Sequence, residues 1–390
     1  MTTPISNKMS DVRSGYENFI LACRDGDLDF RLTPVSDASA FARCFGIFGL
    51  NLIGSKFLEN YIADSVASVI ASDLENYKSL RIAVGADLAF DKPYLQLLCF
   101  SLSALKIIGM LEQYPLEDHV VPLIHRNISK DLEACGALYG KPSSGNLAMF
   151  MAIVRIYARD SLGMNTQADI DLWIEAHLSN MNNIGFWEQR NTVTYSQFQN
   201  GYHQYEIFEY LGLHDNFMQR AALAVAQLAD EDGHFSPYPG GGGCYDYDAG
   251  AILLAGKHVS GSNEFDPFLT RLANTIISEQ NPDGGFAETL SFRPYNFERA
   301  IKLIRHITMG PISSIPEKVH MVASLSRPRF SRISTHWTTY SRKWTESNLW
   351  DSWFRVMIVA RIQMTLEDKS SFDWHHIDFP GIGYFQKNIL

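Results

Sequence analysis

The chain has little of what would place it in several large protein classes. Cysteine is sparse: Cys23, Cys44, Cys99, Cys135 and Cys244 are scattered through 390 residues, with no Cys-x-x-Cys pair. Such usage excludes a disulfide framework, and reduced thiols suit a cytoplasmic protein. Charge is also low, at 19% against roughly a quarter in ordinary globular chains, while apolar residues reach 46%. Basic charge is in deficit, with 33 Lys and Arg against 43 Asp and Glu and a net charge of −10. That balance opposes attraction to a nucleic-acid backbone or an anionic membrane, so no nucleic-acid partner is expected. Long hydrophobic runs are missing too. The most apolar stretch, Tyr94 to Leu111, carries Gln96, Ser101, Ser103 and Lys106, so it reads as a buried helix and not a transmembrane segment. Met1 to Tyr16 has no basic patch followed by an apolar segment, so no secretory signal is expected.

What the chain does have is a repeat. Apolar, aromatic stretches end at Gly54, Gly109, Gly163, Gly212, Gly256 and Gly310, spaced by 44 to 55 residues. Each unit reads as two helices. In the clearest, the apolar residues of Phe268 to Ile277 recur at helical spacing, and Asn281-Pro-Asp-Gly-Gly-Phe286 then stops the helix. Asp232-Gly-His-Phe235 follows a helix expected over Ala221 to Ala229, and Asn183-Ile-Gly-Phe-Trp187 follows one over Ile170 to Met181. The second halves are more aromatic and apolar nearly all round, as expected of helices buried on both sides. They are Ala40 to Phe48, Tyr94 to Phe100, Leu147 to Ile153, Gly201 to Phe208, Tyr245 to Ile252, Phe292 to Phe297 and Trp350 to Val356. Recurrence at this period predicts an all-α fold, an α/α toroid of about six to seven helical hairpins round a central cavity. The second halves form its inner ring. One domain is expected over residues 1–390, with an irregular segment at 1–35, and 363–390 closing the ring. A four-glycine loop, Gly240 to Gly243, is expected at the cavity mouth. No oligomeric state follows from the pattern.

The segment Gln280-Asn-Pro-Asp-Gly284-Gly-Phe286 resembles the glutamine/tryptophan repeat of squalene cyclases and of the β subunits of protein prenyltransferases. Asp248-Ala-Gly-Ala-Ile-Leu-Leu254 and Trp350-Asp-Ser-Trp353 resemble the aspartate-initiated inner helices of that superfamily. The resemblance covers roughly residues 170–362 and implies an α/α toroid. It also implies a terpenoid-cyclase-like enzyme that binds an isoprenoid, with magnesium accompanying a diphosphate substrate. The motifs depart from the family pattern in two places. Asp246-Tyr-Asp248-Ala lacks the third acid of the cyclase motif. Gly242 and Asp351 stand where the prenyltransferases have zinc-binding aspartate and histidine, so zinc is not expected.

The candidate acids are Asp246, Asp248 and Asp351, each near the start of an expected inner helix. A carboxyl held in a cavity has a raised pKa and can act as a general acid, whereas the plainer role for Asp at such a place is helix capping. His203, among Tyr202, Tyr205 and Glu206, is the best general-base candidate. Those neighbours, with Tyr245, Tyr247, Trp350 and Trp353, would form the substrate-binding wall. Arg293 and Arg355 would clamp an anionic group or pair with the acids. His375-His376 is read as a surface pair, since adjacent residues point apart.

Three readings follow. The first is acid-initiated cyclisation or isomerisation of an isoprenoid by Asp246 or Asp248. The second is a glycan-active toroid, a lyase, epimerase or hydrolase binding an oligosaccharide. The third is a non-catalytic binding or scaffold ring. The polarity of the centre separates them: a deep apolar cavity with one carboxylate fits the first, an open groove with His, Tyr and Arg the second, and a filled centre the third.

Overall fold

The computed structural model describes residues 5–59, 63–187, 193–236, 241–289, 301, 304, 332–367 and 373–383. Helix α1 (Ser6–Ala22) leads into a short antiparallel pair, β1 (Arg24–Asp25) and β2 (Asp29–Phe30). Then come α2 (Ala40–Leu52), α3 (Lys56–Glu59), α4 (Ala63–Ala83), α5 (Lys92–Ile107), α6 (Glu117–Ile124) and α7 (Ile128–Cys135). Helices α8 (Gly145–Asp160), α9 (Gln167–Asn180), α10 (Tyr195–Tyr210), α11 (Asn216–Ala226), α12 (Gly243–Ser260), α13 (Asp266–Ser278) and α14 (Leu349–Leu366) follow. The protein is all-α. Residues 292–297, read as a further inner helix, lie outside the described residues.

Six helices pack in a cycle: α2 on α5, α5 on α8, α8 on α10, α10 on α12, α12 on α14, and α14 back on α2. This closed series is what an α/α toroid requires. Its members contain the aromatic second halves read from the sequence, and α2, α5, α8 and α14 are buried along nearly their whole length. Outside the cycle, α4 packs on α5, α9 on α8, α11 on α12 and α13 on α14. These outer helices bury one stripe each. In α13 it is Leu269, Leu272, Ala273, Ile276 and Ile277, the i, i+3, i+4 pattern of an amphipathic helix.

The starts of four of the six ring helices are fixed by side-chain caps. Ser39 caps α2, Asp91 caps α5, Thr194 and Gln197 form a capping box on α10, and Asn348 caps α14. Each satisfies backbone N–H groups that the helix leaves unpaired, worth about 1 kcal/mol apiece. The other ends use the repeat glycines. Gly54, Gly109, Gly163 and Gly212 all have φ between 58° and 71°, the left-handed turn that ends helices and that glycine adopts without strain.

Two expectations are corrected here. Gly256 does not end its helix: it lies inside α12 facing Ala222 of α11, where the missing side chain lets the two helices approach, and Gly261 (φ 62°) is the terminator. The segment at 1–35 is not irregular, because α1 occupies Ser6–Ala22. It buries Met9, Val12, Tyr16, Phe19 and Ile20 at helical spacing, a stripe disguised by the polar residues between them.

The outer layer also holds a titratable weak point. His177 of α9 is fully buried, its ring centroid 3.8 Å from that of Trp173, and burial pushes its pKa down to about 3 from an ordinary 6.5. His119, also mainly through burial, is pushed down to about 4. A histidine whose folded pKa lies below its unfolded value binds fewer protons in the native state across that interval. Stability therefore falls as pH drops below 6.5 and levels off only below the folded values. The melting temperature is expected to decline between pH 6.5 and 4, and His177→Phe, which keeps the packed ring, to flatten that decline. An unchanged slope in the variant would remove His177 from the account.

Candidate functional site

The ring encloses a cavity of about 540 Å³. Its wall comes mostly from the N-terminal halves of five ring helices: Lys92, Gln96 and Phe100 of α5, Asn146 and Met149 of α8, Gln199, Tyr202, His203 and Glu206 of α10, Cys244 and Asp248 of α12, and Trp350 and Phe354 of α14. Glu288, beyond α13, adds a third carboxylate, and residues 332–337 with Arg342 and Trp344 cover another side. The turn Gly381 to Gly383 lines the cavity from a further side.

Glu206 is held by three donors. Its Oε1 accepts the backbone N–H groups of Gly381 and Gly383 at 2.6 and 2.9 Å, and its Oε2 accepts the Tyr202 hydroxyl at 2.8 Å. Behind Tyr202 lie the Tyr247 hydroxyl at 3.1 Å and, bonded to Tyr247 at 2.8 Å, the Arg361 guanidinium. Tyr202 has one hydroxyl hydrogen, so with that hydrogen donated to Glu206 its contact with Tyr247 is one in which Tyr247 donates, while Arg361 donates to Tyr247. Every donor in this chain points toward the Glu206 carboxylate, which fixes its position at the wall.

Asp248 has the opposite environment. It is 2% exposed and its Oδ2 has no hydrogen-bond partner among the described residues. Burial, followed by the negative charge of Glu206, raises its pKa well above the ordinary carboxylate value, with Lys92 opposing. Lys92 is itself pushed down by burial. Two carboxyl groups thus line one cavity in different surroundings, Glu206 held by hydrogen-bond donors and Asp248 buried with one oxygen unpartnered among the described residues.

Tryptophan and histidine complete the wall. A strap is closed by paired backbone bonds between Ile333 and Arg342 at 2.7 and 3.0 Å. From it, His336 Nε2 and the Trp337 indole N–H both reach Gln96 Oε1, at 2.7 and 3.2 Å. The Trp337 ring lies on Trp350, with centroids 4.3 Å apart and planes at 36°, and Trp350 is only partly buried. Neither ring nitrogen of His203 has a partner among the described residues, and burial with the nearby Lys92 charge pushes its pKa down to about 3. Near neutral pH it is an uncharged imidazole, suited to hydrogen bonding and weak as a base.

The sequence-derived candidates divide accordingly. Asp248, His203, Tyr202, Glu206 and Trp350 share the cavity wall. Asp246, two residues from Asp248, is aimed elsewhere. Its carboxylate accepts from His234 Nδ1 at 2.8 Å and from the Phe235 N–H at 2.8 Å, with Arg355 at 3.9 Å. Burial would raise the Asp246 pKa, but His234, together with Arg355, holds it below the ordinary range. Burial would likewise lower His234, but Asp246 and Glu279 lift it to about 10. Arg355 is bonded to Glu279 and to the carbonyls of Ala287 and Glu288. Asp351 accepts from Asn348 Nδ2 at 2.5 Å and lies 3.4 Å from Arg342. Neither Asp246 nor Asp248 caps α12, whose cap position is Gly242.

Tyr205 donates to the Gly185 carbonyl at 2.8 Å on the outer side of α10, Tyr247 sits behind Tyr202, Trp353 packs on Phe48, and Tyr245 packs on Phe198. Arg293 lies outside the described residues, as does Gly240. Gly241 packs against the His234 and Asp246 side chains, so the described part of the glycine loop braces that ion pair. Among the described residues no group of three or more His, Cys, Asp or Glu is placed to hold a metal. His375 and His376 are separate, the first near Asp373 and the second near Met364. No helix among the described residues is long and apolar enough to cross a membrane.

Sequence reasoning missed Lys92, Asn146, Gln199, Glu288 and Arg342 as cavity residues, along with the functional weight of Gln96. A polar residue on an otherwise apolar inner helix was the available signal for Gln96 and Asn146.

The chain matches no protein-family model and no curated protein. Among solved structures it is similar to a glycosidase carrying a glutamate-to-alanine substitution, with TM-score 0.50 and 13% identity over 92% of this chain and 98% of the other. A glycosidase carrying a tyrosine-to-phenylalanine substitution gives TM-score 0.51 and 12% identity over the same shares. At these identities the likeness is one of fold.

Proposed function

We propose that this protein is a glycan-active enzyme that hydrolyses a glycosidic bond in the ring cavity, with Asp248 as proton donor and Glu206 as the companion anion. The observation that carries the reading is the Asp248 carboxyl, buried and with one oxygen unpartnered among the described residues, in a cavity walled by tryptophan and polar side chains beside the fixed Glu206 carboxyl. Glycoside cleavage uses such a pair: an acid of raised pKa protonates the leaving oxygen while a carboxylate stabilises or attacks the developing oxocarbenium centre. Tyr202 and the Gly381 and Gly383 amides keep Glu206 in place. Trp350 and Trp337 offer apolar faces with polar edges, suited to a sugar ring, and His203 and Asn146 supply hydrogen bonds to hydroxyls.

The wall holds Asp248, Glu206 and Glu288 with Lys92, Gln96, His203 and His336, which supports this reading over acid-initiated isoprenoid cyclisation, expected of an apolar cavity with one carboxylate, and the glycosidase fold neighbours agree with it. The test is release of reducing sugar from a panel of aryl glycosides and oligosaccharides. At least one glycan is expected to be turned over, with Glu206→Gln reducing the rate by about 100-fold or more. Failure across the panel, together with a thermal shift by isoprenoid diphosphates, would reverse the assignment.

A further inference from the structure

The turn that floors the cavity lies across the middle of the ring. The Gly381 and Gly383 amides bond Glu206 of α10. A methyl group added at Gly381 would lie 2.9 Å from Ile153 of α8 and 3.8 Å from Cys99 of α5. One added at Gly383 would collide with Met357 of α14 and come within 2.5 Å of the Tyr247 hydroxyl of α12. The turn therefore touches five of the six ring helices at once. Phe379 and Ile382 on either side of Gly381 are 4% and 3% exposed, so it is packed as firmly as the core. Only glycine fits at these approaches, and both have φ near or above 100°.

Depth along the ring follows from chain position. On α5, Lys92 and Gln96 line the cavity and Cys99, further along, meets the turn. On α8, Asn146 and Met149 precede Ile153, and on α14, Trp350 and Phe354 precede Met357. The cavity thus occupies the N-terminal side of the ring and stops at the turn. Asp248 is next in sequence to Tyr247, and Glu206 is bonded to the turn itself, so both carboxyls stand at the bottom.

We propose that the site accepts only the free end of a glycan chain, because the 379–383 turn makes it a blind cavity with its reactive carboxyls at the closed end. The inference rests on the glycoside-cleaving reading. A chain passing through the ring would need the space the turn fills. A cavity of about 540 Å³ falls within the ~300–1,000 Å³ of small-ligand pockets, enough for the last units of a chain. The protein is therefore exo-acting, releasing terminal mono- or disaccharides.

The experiment pairs binding with product analysis. The Asp248→Asn variant is screened by thermal shift against linear gluco-, manno- and chito-oligosaccharides, each supplied free and with both terminal sugars capped by a bulky tag. Wild-type protein is given the same oligosaccharides labelled at one end. Free chains are expected to raise the melting temperature and doubly capped chains to leave it unchanged, with every early product a terminal mono- or disaccharide. Equal shifts from capped and free chains, or internal fragments at the first time points, would overturn end recognition while leaving hydrolysis intact. Free chains that bind without being cut would remove the hydrolytic reading and leave end recognition standing. No shift with any glycan would remove both.

Discussion

Asp248→Asn is expected to lower the rate of glycoside cleavage by roughly two to four orders of magnitude, the usual contribution of a positioned general acid, while leaving the protein folded. The reason lies in the protonation state. Burial and the Glu206 charge raise the Asp248 pKa well above the ordinary carboxylate value, so the near-isosteric amide resembles the protonated carboxyl and lacks its transferable proton. The sign of the stability change is also set. A carboxyl whose folded pKa exceeds its unfolded value favours the folded state at low pH and loses that contribution as pH rises through the folded value. An amide has no such loss, so at pH 8 the variant should melt at the same temperature as wild type or higher. A structural cap would behave differently, losing about 1 kcal/mol of stability on replacement. Measuring the melting temperature beside kcat separates the two. Retained activity, or a lower melting temperature with activity falling in proportion, would end the proton-donor assignment.

The same residue shows how far the sequence could be read. Asp246 and Asp248 both stood out as acids near a helix start. Two residues apart on a helix they point roughly 200° from one another, so at most one can face the ring axis. Sequence does not say which, because the rotation of α12 is fixed by contacts made far away in the chain: Gly256 against Ala222, and Gly250 against Ile358. The ring itself was legible. Helices buried on both sides must be apolar nearly all round, and each must end at a residue that tolerates a left-handed turn, so composition and glycine spacing carried the period. The period was misread where a glycine serves packing instead of termination, at Gly256. The bonds from the strap residues His336 and Trp337 to Gln96 of α5 were out of reach for a different reason: Gln96 and Trp337 are 241 positions apart in the chain, and no local pattern links them. Glu206 was noticed only as part of a polar cluster. Its role depends on amides of Gly381 and Gly383, whose direction no side-chain pattern encodes.

Arg355→Met should produce the largest loss of stability. Arg355 was a candidate for substrate binding, yet its guanidinium is 1% exposed and bonded to Glu279 at 3.3 Å and to the Ala287 and Glu288 carbonyls at 3.1 and 3.0 Å. Methionine fills similar space and donates nothing. Among the described residues Glu279 and Asp246 would then share only His234 as counter-charge, and two carbonyls would lose their donor. Breaking a buried ion pair from one side typically costs about 3–5 kcal/mol, because the remaining charge stays desolvated. A urea titration should show a lower midpoint with an unchanged slope, the signature of lost stability without a change in the surface exposed. The double variant Arg355→Met with Glu279→Gln removes the stranded charge and should recover part of the loss, a coupling expected of residues in one network. Glu288, whose carbonyl Arg355 holds, lines the cavity, so activity should weaken as well, through kcat and KM together. A substrate-binding arginine would give the reverse pattern: KM raised alone, with the urea midpoint where it was.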